Sequence, residues 1–217
     1  MTPDRPAAKR PDRRTLLADT ALGVLADAGT RGLTHRAVDA AAGLPAGTTS
    51  AYYRTRSALL TALVRRLVEL DQAELRTAGE HLPEPRSAAE LADAVRALVA
   101  ARLTGEGRRR SLARYACVVE SVRDPELREI LVPRENPARD AVHRFLADQD
   151  VEDPEGRTLA LLACVDGLVL DRVVRGGSVS VEEVEGLVAA ALRPAKGARP
   201  VVGVEPTGAE DAAAAGR

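Results

Sequence analysis

Residues 48–51 read Thr-Thr-Ser-Ala and follow Gly47, and Tyr52, Arg54 and Arg56 come soon after them. At the start of a helix, short hydroxyl side chains and a methyl group can reach the edges of base pairs in a major groove. Tyrosine and arginine side chains just beyond them can reach the flanking phosphates. These residue types at this spacing therefore indicate binding to double-stranded nucleic acid.

Three short helices are predicted to position these side chains. Apolar residues recur at helical spacing from residue 12 onward, and Gly29 is expected to end the first helix. Thr34 is expected to cap a second helix. A turn at Gly43 leads to a third helix, which Pro45 begins and which ends near Tyr53. Three helices with a glycine turn between the last two describe a helix-turn-helix unit.

Helical spacing separates the side chains of the third helix into two faces. Thr48 and Tyr52 share one face, and Thr49 and Tyr53 share another. Only one face can meet a nucleic acid. We therefore assign Tyr53 to packing against the first helix, with Thr49 as a second candidate for that role.

The rest of the chain is also predicted to be helical. Further helices are expected at about residues 57–79, 87–103, 109–123, 125–133, 135–149, 154–175 and 180–193. Capping boxes are expected at 87–90 and 180–183, and a turn at 105–107. Aromatic residues make up only 2% of the chain, which argues against an all-β fold. The expected fold class is all-α, with about nine to ten helices.

We divide the chain into four parts. Residues 1–11 are expected to be a disordered basic arm, 12–66 the helix-turn-helix DNA-binding unit with its motif at 34–53, 67–193 a larger helical body, and 194–217 a disordered tail. Residues 1–66 carry 11 Lys or Arg against 5 Asp or Glu, whereas residues 67–217 carry 20 against 27. A basic head on an acidic body favours contact between the head and a polyanion.

No targeting or membrane segment is expected. The start of the chain lacks the apolar core of a signal peptide. The longest run with few charges, residues 158–170, contains Asp166 and is too short to span a bilayer. Cys117 and Cys164 have no metal-ligand spacing, so we expect no metal and no cofactor; they are interpreted as small core residues, with a redox pair as the alternative. We expect a cytoplasmic, nucleoid-associated protein.

Residues 12–66 resemble the DNA-binding domain of the tetracycline-repressor (TetR) family of bacterial transcription regulators. The matching features are the Gly29 break, the Thr34 cap, Ala42-Gly43, Gly47-Thr48, the aromatic pair Tyr52-Tyr53, and the basic pair Arg54 and Arg56 before Leu59-Leu60. The resemblance implies a ligand-responsive regulator, usually a repressor, that binds a pseudo-palindromic operator as a homodimer.

The resemblance also implies roles for individual residues. Base contacts are expected from Ala46, Gly47, Thr48, Ser50 and Ala51. Phosphate contacts are expected from Thr34, Tyr52 and Arg56, and we add Arg36 and Arg54 as further basic residues. The chain departs from the family pattern at Asp39, Ala46, Thr49 and Ser50. Because few long side chains remain to read bases, we expect methyl contacts and DNA shape to matter more than bidentate hydrogen bonds.

The body is expected, by the same resemblance, to dimerise through its last two helices and to enclose an effector. The candidate dimer residues are Leu159, Leu162, Val165, Val169, Val173, Val181, Val184 and Val188. The candidate effector residues are Arg102, Arg114, Tyr115, Val119, Phe145, Leu162 and Asp166. Since Tyr115 and Phe145 are the only aromatic residues outside the head, we expect a largely apolar small molecule with one polar or anionic group. A flat polyaromatic cation is a poor candidate.

Other interpretations remain open at this point. A helical enzyme with an incidental basic head is disfavoured, because the three His residues are scattered and no nucleophile has an adjacent base. A DNA-binding dimer without small-molecule input is the other alternative. His35 can be a phosphate contact or a solvated turn residue, and Arg108–Arg110 a second nucleic-acid patch or a solvated helix start. Asp166 can hold a ligand, act in catalysis or pair with an arginine.

Overall fold

A computed structural model describes residues 12–81, 84–132 and 136–193, which form ten α-helices and no strand. The helices are α1 (Arg13–Gly32), α2 (His35–Ala41), α3 (Thr48–Tyr52), α4 (Arg56–His81), α5 (Ala88–Leu103), α6 (Gly105–Ser121), α7 (Pro125–Leu131), α8 (Pro137–Asp148), α9 (Pro154–Arg175) and α10 (Val181–Leu192). The predicted all-α fold is confirmed. The predicted arm, 1–11, and tail, 194–217, lie outside the described residues. Within the described ranges, no helix is long and apolar enough to cross a membrane.

The first three helices lie close to the positions that the sequence predicts, with one boundary shifted. Gly29 breaks the regular geometry of α1 with a φ of 66°, and the Thr34 side chain caps α2 by accepting from the Ala37 N–H. The third helix begins at Thr48, so the prediction that Pro45 begins it is wrong. Gly47 has a φ of 91°, a left-handed conformation that separates the turn at Pro45 from the helix.

Two further local predictions, a turn at residues 105–107 and a capping box at 87–90, differ from the structure. Residues 105–107, predicted as a turn, are the first residues of α6. A Cβ atom on Gly107 would lie 1.9 Å from the Ala101 carbonyl oxygen, so the glycine permits close packing of α6 against the end of α5. The predicted capping box at 87–90 is half-formed, because Ser87 caps the Glu90 N–H while the Glu90 carboxylate accepts from Arg86. The box at 180–183 is complete.

Two hydrophobic cores meet at α6. The first core joins α1, α2, α4 and α7 around side chains such as Leu25, Val38 and Leu67, and α6 contributes Ala113 and Cys117 to it. The second core joins α5, α8, α9 and α10, with α6 contributing partly buried residues. Helix α4 runs without interruption through the predicted domain boundary at 66/67.

Three consecutive arginines near the start of α6 fasten it to three different helices. Arg108 donates to the Val173 carbonyl of α9 over 3.2 Å. Arg109 pairs with Asp27 of α1 and Arg110 with Glu74 of α4, both at 2.6 Å. All three guanidinium groups are thus bonded within the chain. The structure replaces both interpretations of this run, because its arginines are neither a free nucleic-acid patch nor a purely solvated helix start.

Candidate nucleic-acid interface

Helix α3, which carries the predicted base-reading side chains, has five residues. A helix of one to two turns is not stable by itself, because its first turn fixes many dihedral angles for few hydrogen bonds. Its N-cap is Gly47, which has no side chain to cap the exposed N–H groups. The surrounding structure must therefore supply the bonds that hold α3 in place.

The Asp39 carboxylate of α2 supplies the bonds at the beginning of α3. Its Oδ2 accepts from the Gly47 N–H over 2.8 Å, and its Oδ1 accepts from the Thr49 N–H over 2.7 Å and the Thr49 hydroxyl over 2.5 Å. Asp39 is 3% exposed and Thr49 is fully buried. The two departures from the family pattern at these positions are therefore partners in one buried hydrogen-bonded pair.

These bonds also determine the charge state of Asp39. Burial favours the neutral carboxyl and raises its pKa, but the hydrogen bonds from Thr49 and Gly47 favour the carboxylate and outweigh burial. The positive field of His35 acts in the same direction as these bonds. The pKa of Asp39 therefore lies below its usual value, and the carboxylate remains charged inside the head at neutral pH.

His35 supplies the bond at the other end of α3. Its Nε2 lies 2.7 Å from the Tyr53 carbonyl oxygen, which can only accept, so Nε2 carries the hydrogen. His35 lies four residues before Asp39, one turn away on the same side of α2. The structure thus gives His35 a bonding role that neither sequence interpretation included. The spacing of His35 and Asp39 was the available signal.

Tyr53 packs against the first helix, as assigned, whereas Thr49 is buried against Asp39 of the second helix. Tyr53 is 8% exposed, and its hydroxyl donates to the Arg14 carbonyl of α1 over 3.2 Å. The Arg14 guanidinium lies 5.6 Å from the ring centre of Tyr52 and 5.8 Å from that of Tyr53. This cation–π contact joins the end of α3 to the start of α1.

The residues predicted to contact DNA lie at the surface of this scaffold. All are exposed except Thr48, which is half-buried: Thr34, Arg36, Ala46, Gly47, Thr48, Ser50, Ala51, Tyr52, Arg54 and Arg56. Arg56 also has a bonding role, because its guanidinium donates to the carbonyls of Thr30 and Leu33 at the end of the first helix. Its removal would therefore disturb the fold as well as any phosphate contact.

Four of the predicted effector residues meet in the body. Arg102 Nη1 lies 3.4 Å from Asp166 Oδ1, and the Tyr115 hydroxyl donates to the Asp166 carbonyl over 3.0 Å. Arg114 forms an ion pair with Asp71 of α4, a residue that the sequence analysis did not single out. Burial lowers the pKa of Arg114 and raises that of Tyr115 to about 12. Asp166 is thus paired with an arginine, one of its three predicted interpretations.

The remaining predicted effector residues lie apart or at the margin. Val119 is 63% exposed on α6. Phe145 is buried and lines a different groove, of about 320 Å³, with residues 84–86 and 148–149. Leu162 is half-buried, one turn before Asp166 on α9. Both cysteines are free thiols. Cys117 is a buried core residue, as predicted, and burial raises its thiol pKa to about 12, whereas Cys164 is exposed, so its interpretation as a core residue is wrong.

The predicted dimer residues divide between the interior and the surface. Five are enclosed by the chain's own second core: Val165, Val169, Val173, Val184 and Val188. These side chains pack inside the chain and are not available to a partner. Leu159 and Val181 are about half exposed and Leu162 is half-buried. The same outer face of α9 also presents Leu170 and Val174, at 43% and 74% exposure.

Comparison with known proteins places this arrangement among characterised folds. Residues 86–194 match the family model described as the tetracyclin repressor-like, C-terminal domain. A search of curated proteins finds no match.

Within the described part of the chain, no group of three or more His, Cys, Asp or Glu could hold a metal ion.

Several solved structures share the fold. The multidrug binding protein EbrR, complexed with imidazole, is 25% identical with a TM-score of 0.62, covering 86% of this chain and 98% of EbrR. A TetR-family member from Streptomyces coelicolor A3 is 25% identical with a TM-score of 0.64, covering 84% and 99%. A transcriptional regulator from Rhodococcus sp. Rha1 is 24% identical with a TM-score of 0.67, covering 83% and 94%. EbrR has also been solved with ethidium and with proflavin.

Acid should destabilise the protein partly through Asp39. Because its folded pKa lies below the value of 3.8 for a free carboxyl, Asp39 contributes stability above that value and loses it as pH falls through the folded pKa. We expect the free energy of unfolding to fall further between about pH 5 and about pH 2 in the wild type than in Asp39→Asn. Urea denaturation at fixed protein concentration measures both, and equal losses would contradict the assignment.

Proposed function

The chain belongs to the tetracycline-repressor family, and from this premise we propose that it is a repressor that binds a pseudo-palindromic operator as a dimer and is released by a small molecule. Residues 12–66 would bind DNA, and residues 67–193 would dimerise and hold the effector. Such a protein acts at the nucleoid in the cytoplasm. The observation that carries the proposal is the set of short polar side chains on α3, whose backbone is bonded at both ends to side chains of α2.

The charges of the head support contact with DNA. Arg36 and Arg54 are exposed and form no hydrogen bond or ion pair with another described residue. Free arginines beside a helix that fits a major groove are suited to phosphates, which fix the register of a protein on its site. The groups that would read bases, Thr48, Ser50 and Ala51, lie between these arginines along the chain.

Replacing reader and phosphate residues should have different effects. Thr48→Ala and Ser50→Ala should each weaken binding by about 1–3 kcal/mol at particular base pairs and little elsewhere. Arg54→Ala should weaken all sequences alike and reduce the salt dependence of binding by about one ion per site. We choose Arg54 rather than Arg56 because Arg56 also bonds to the backbone. For the same reason Ser50→Ala is the cleaner reader variant, since the Thr48 hydroxyl donates to the Pro45 carbonyl over 2.7 Å. Titration of single-base operator variants at several salt concentrations measures both effects. A uniform loss for Thr48→Ala and Ser50→Ala, with a base-specific loss for Arg54→Ala, would mean that α3 is oriented differently on DNA.

The outer face of α9 supports the dimer. Leu159, Leu170 and Val174 are apolar and exposed on α9, and Asp166 lies between Leu159 and Leu170 on the same face. Three exposed apolar side chains on a helix that already packs inward indicate a partner, and Asp166 on this face is bonded to Arg102 of the same chain. One head reads few base pairs, so specificity also favours two heads, whose recognition helices would lie about 34–36 Å apart, one turn of DNA.

A charge placed on this face should dissociate the dimer. We expect Val174→Asp to raise the dimer dissociation constant at least about tenfold, because a carboxylate would be buried without a partner. Val132→Asp is the matched control, since Val132 is 70% exposed on a different face, after α7. Sedimentation velocity at micromolar concentration measures both variants. A monomeric wild type, or equal effects of the two substitutions, would refute this dimer face.

The polar cluster in the body supports a small-molecule effector. EbrR, with the same fold, binds ethidium and proflavin, but this chain has one tyrosine in the cluster and no aromatic wall among the residues that meet there. Arg114 is paired with the largely buried Asp71, whereas Arg102 is paired over 3.4 Å with Asp166, whose side chain is 60% exposed. We therefore propose that an apolar molecule with one anionic group binds here, with Arg102 and Tyr115 orienting that group.

Decanoate and ethidium serve as probes of the two ligand classes. We expect saturating decanoate to raise the melting temperature of the wild type by a few degrees, about 2–4 °C for each kcal/mol of binding, and ethidium to raise it less. Arg102→Gln should abolish the decanoate shift. Arg96→Gln, which removes another ion-paired arginine from α5, should retain it. A larger shift with ethidium would contradict the proposed class, and no shift with either would favour the regulator without small-molecule input.

A further inference from the structure

We infer that His35 and Asp39 are positioning residues for operator recognition, which set the sequence specificity of α3 without touching DNA. The inference rests on the proposed function of α3 as the recognition helix. Both residues lie on one side of α2, and together they bond to the first and last parts of α3. They therefore fix both its place and its tilt.

The two contacts act on backbone atoms at opposite ends of α3. Asp39 holds the N–H groups of Gly47 and Thr49, and His35 holds the carbonyl of Tyr53. Release of one contact would leave α3 fixed at the other end and free to pivot. A pivot differs from unfolding, because the helix remains formed while its side chains change their height in the groove.

The bond to Thr49 lies between the two reader side chains. Thr48 and Ser50 are its direct neighbours, so a shift of the Thr49 backbone moves both hydroxyl groups by a similar distance. Hydrogen bonds tolerate only a few tenths of an ångström around their normal length. Binding to a base edge by these two residues is therefore sensitive to the position of Asp39.

The short side chains of Thr48 and Ser50 increase this dependence on the position of the α3 backbone. Threonine and serine have a single side-chain torsion that places the hydroxyl oxygen, so they cannot extend to recover a lost contact. A long arginine or glutamine could adjust several torsions after a backbone shift. A recognition helix that reads with Thr48 and Ser50 thus depends on its supports for specificity, whereas phosphate contacts from Arg36 and Arg54 do not.

The support from α2 is itself rigid. Thr34 caps the start of α2, and Val38, which lies between His35 and Asp39, is fully buried in the first core. Movement of either positioning residue would require movement of α2 within that core. Helices α2 and α3 therefore form one unit, and the fixed geometry of that unit is what meets the base pairs.

The test compares specific with non-specific binding. A duplex selected from a random pool by wild-type protein serves as operator, and a scrambled duplex of the same length and salt concentration serves as the non-specific site. We expect His35→Ala to weaken operator binding about tenfold and Asp39→Ala about 30–100-fold, as expected for one neutral and several charged hydrogen bonds. Binding to the scrambled duplex should change less than about twofold, since phosphate contacts dominate it.

Two variants separate positioning from folding. His35→Gln retains an N–H donor near the Tyr53 carbonyl and should recover most of the operator affinity that His35→Ala loses. Asp19→Ala is the control for stability, because it removes the 2.7 Å ion pair between α1 and α4 and supports no residue of α3. We expect it to lower the melting temperature without changing the ratio of the two affinities. Circular dichroism at the binding temperature establishes that each variant is folded.

The outcomes distinguish the inference from its premise. Parallel loss of both affinities in His35→Ala and Asp39→Ala, or no rescue by His35→Gln, would overturn the positioning role. Failure of the wild type to select any sequence from the pool would instead overturn the proposed function, and the inference with it. The inference and the proposed function are both supported if the ratio of operator affinity to scrambled-duplex affinity falls in His35→Ala and Asp39→Ala but not in Asp19→Ala.

Discussion

Helix α6 belongs to both hydrophobic cores, and this shared element determines how the head and the body are joined. Its Ala113 and Cys117 lie among the side chains of the first core, while Leu112 and Tyr115 pack against the second. The arginine run at 108–110 adds bonds to α9, α1 and α4. Because one rigid helix serves both cores, the DNA-binding helices and the proposed effector cluster are parts of one packed structure.

The sequence predicted helix boundaries well where a capping side chain defines them. Thr34, Ser87 and Ser180 each cap the helix that they were expected to begin. The start of α3 was missed, because proline at residue 45 fits a first helical turn as well as the turn that precedes one. The Asp39–Thr49 pair was also missed as a pair, since ten residues of sequence separate two groups that only the folded turn brings together.

In the body, the sequence predicted that α9 takes part in a dimer but not which of its residues face inward. Apolar side chains occur nearly all round this helix, so their spacing does not show which face is turned toward the core. The structure shows which face is buried, because Val165 and Val169 lie in the core whereas Leu159 and Val174 are exposed. The bonds of the arginine run at 108–110 were unpredictable for a related reason, because charge alone does not reveal a partner 36–82 positions away in the chain.

The buried pair of Asp39 and Thr49 has a consequence for how this chain can diverge. Replacing Asp39 alone leaves two N–H groups and a hydroxyl without acceptors, and replacing Thr49 alone with leucine sets an apolar side chain against a carboxylate. Either single step passes through a less stable head. Changing both positions together removes the buried carboxylate and the hydroxyl at once, and the N–H groups of residues 47 and 49 must then find another acceptor. The two codons are therefore expected to drift as a unit across descendants, while the exposed readers beside them can vary one at a time.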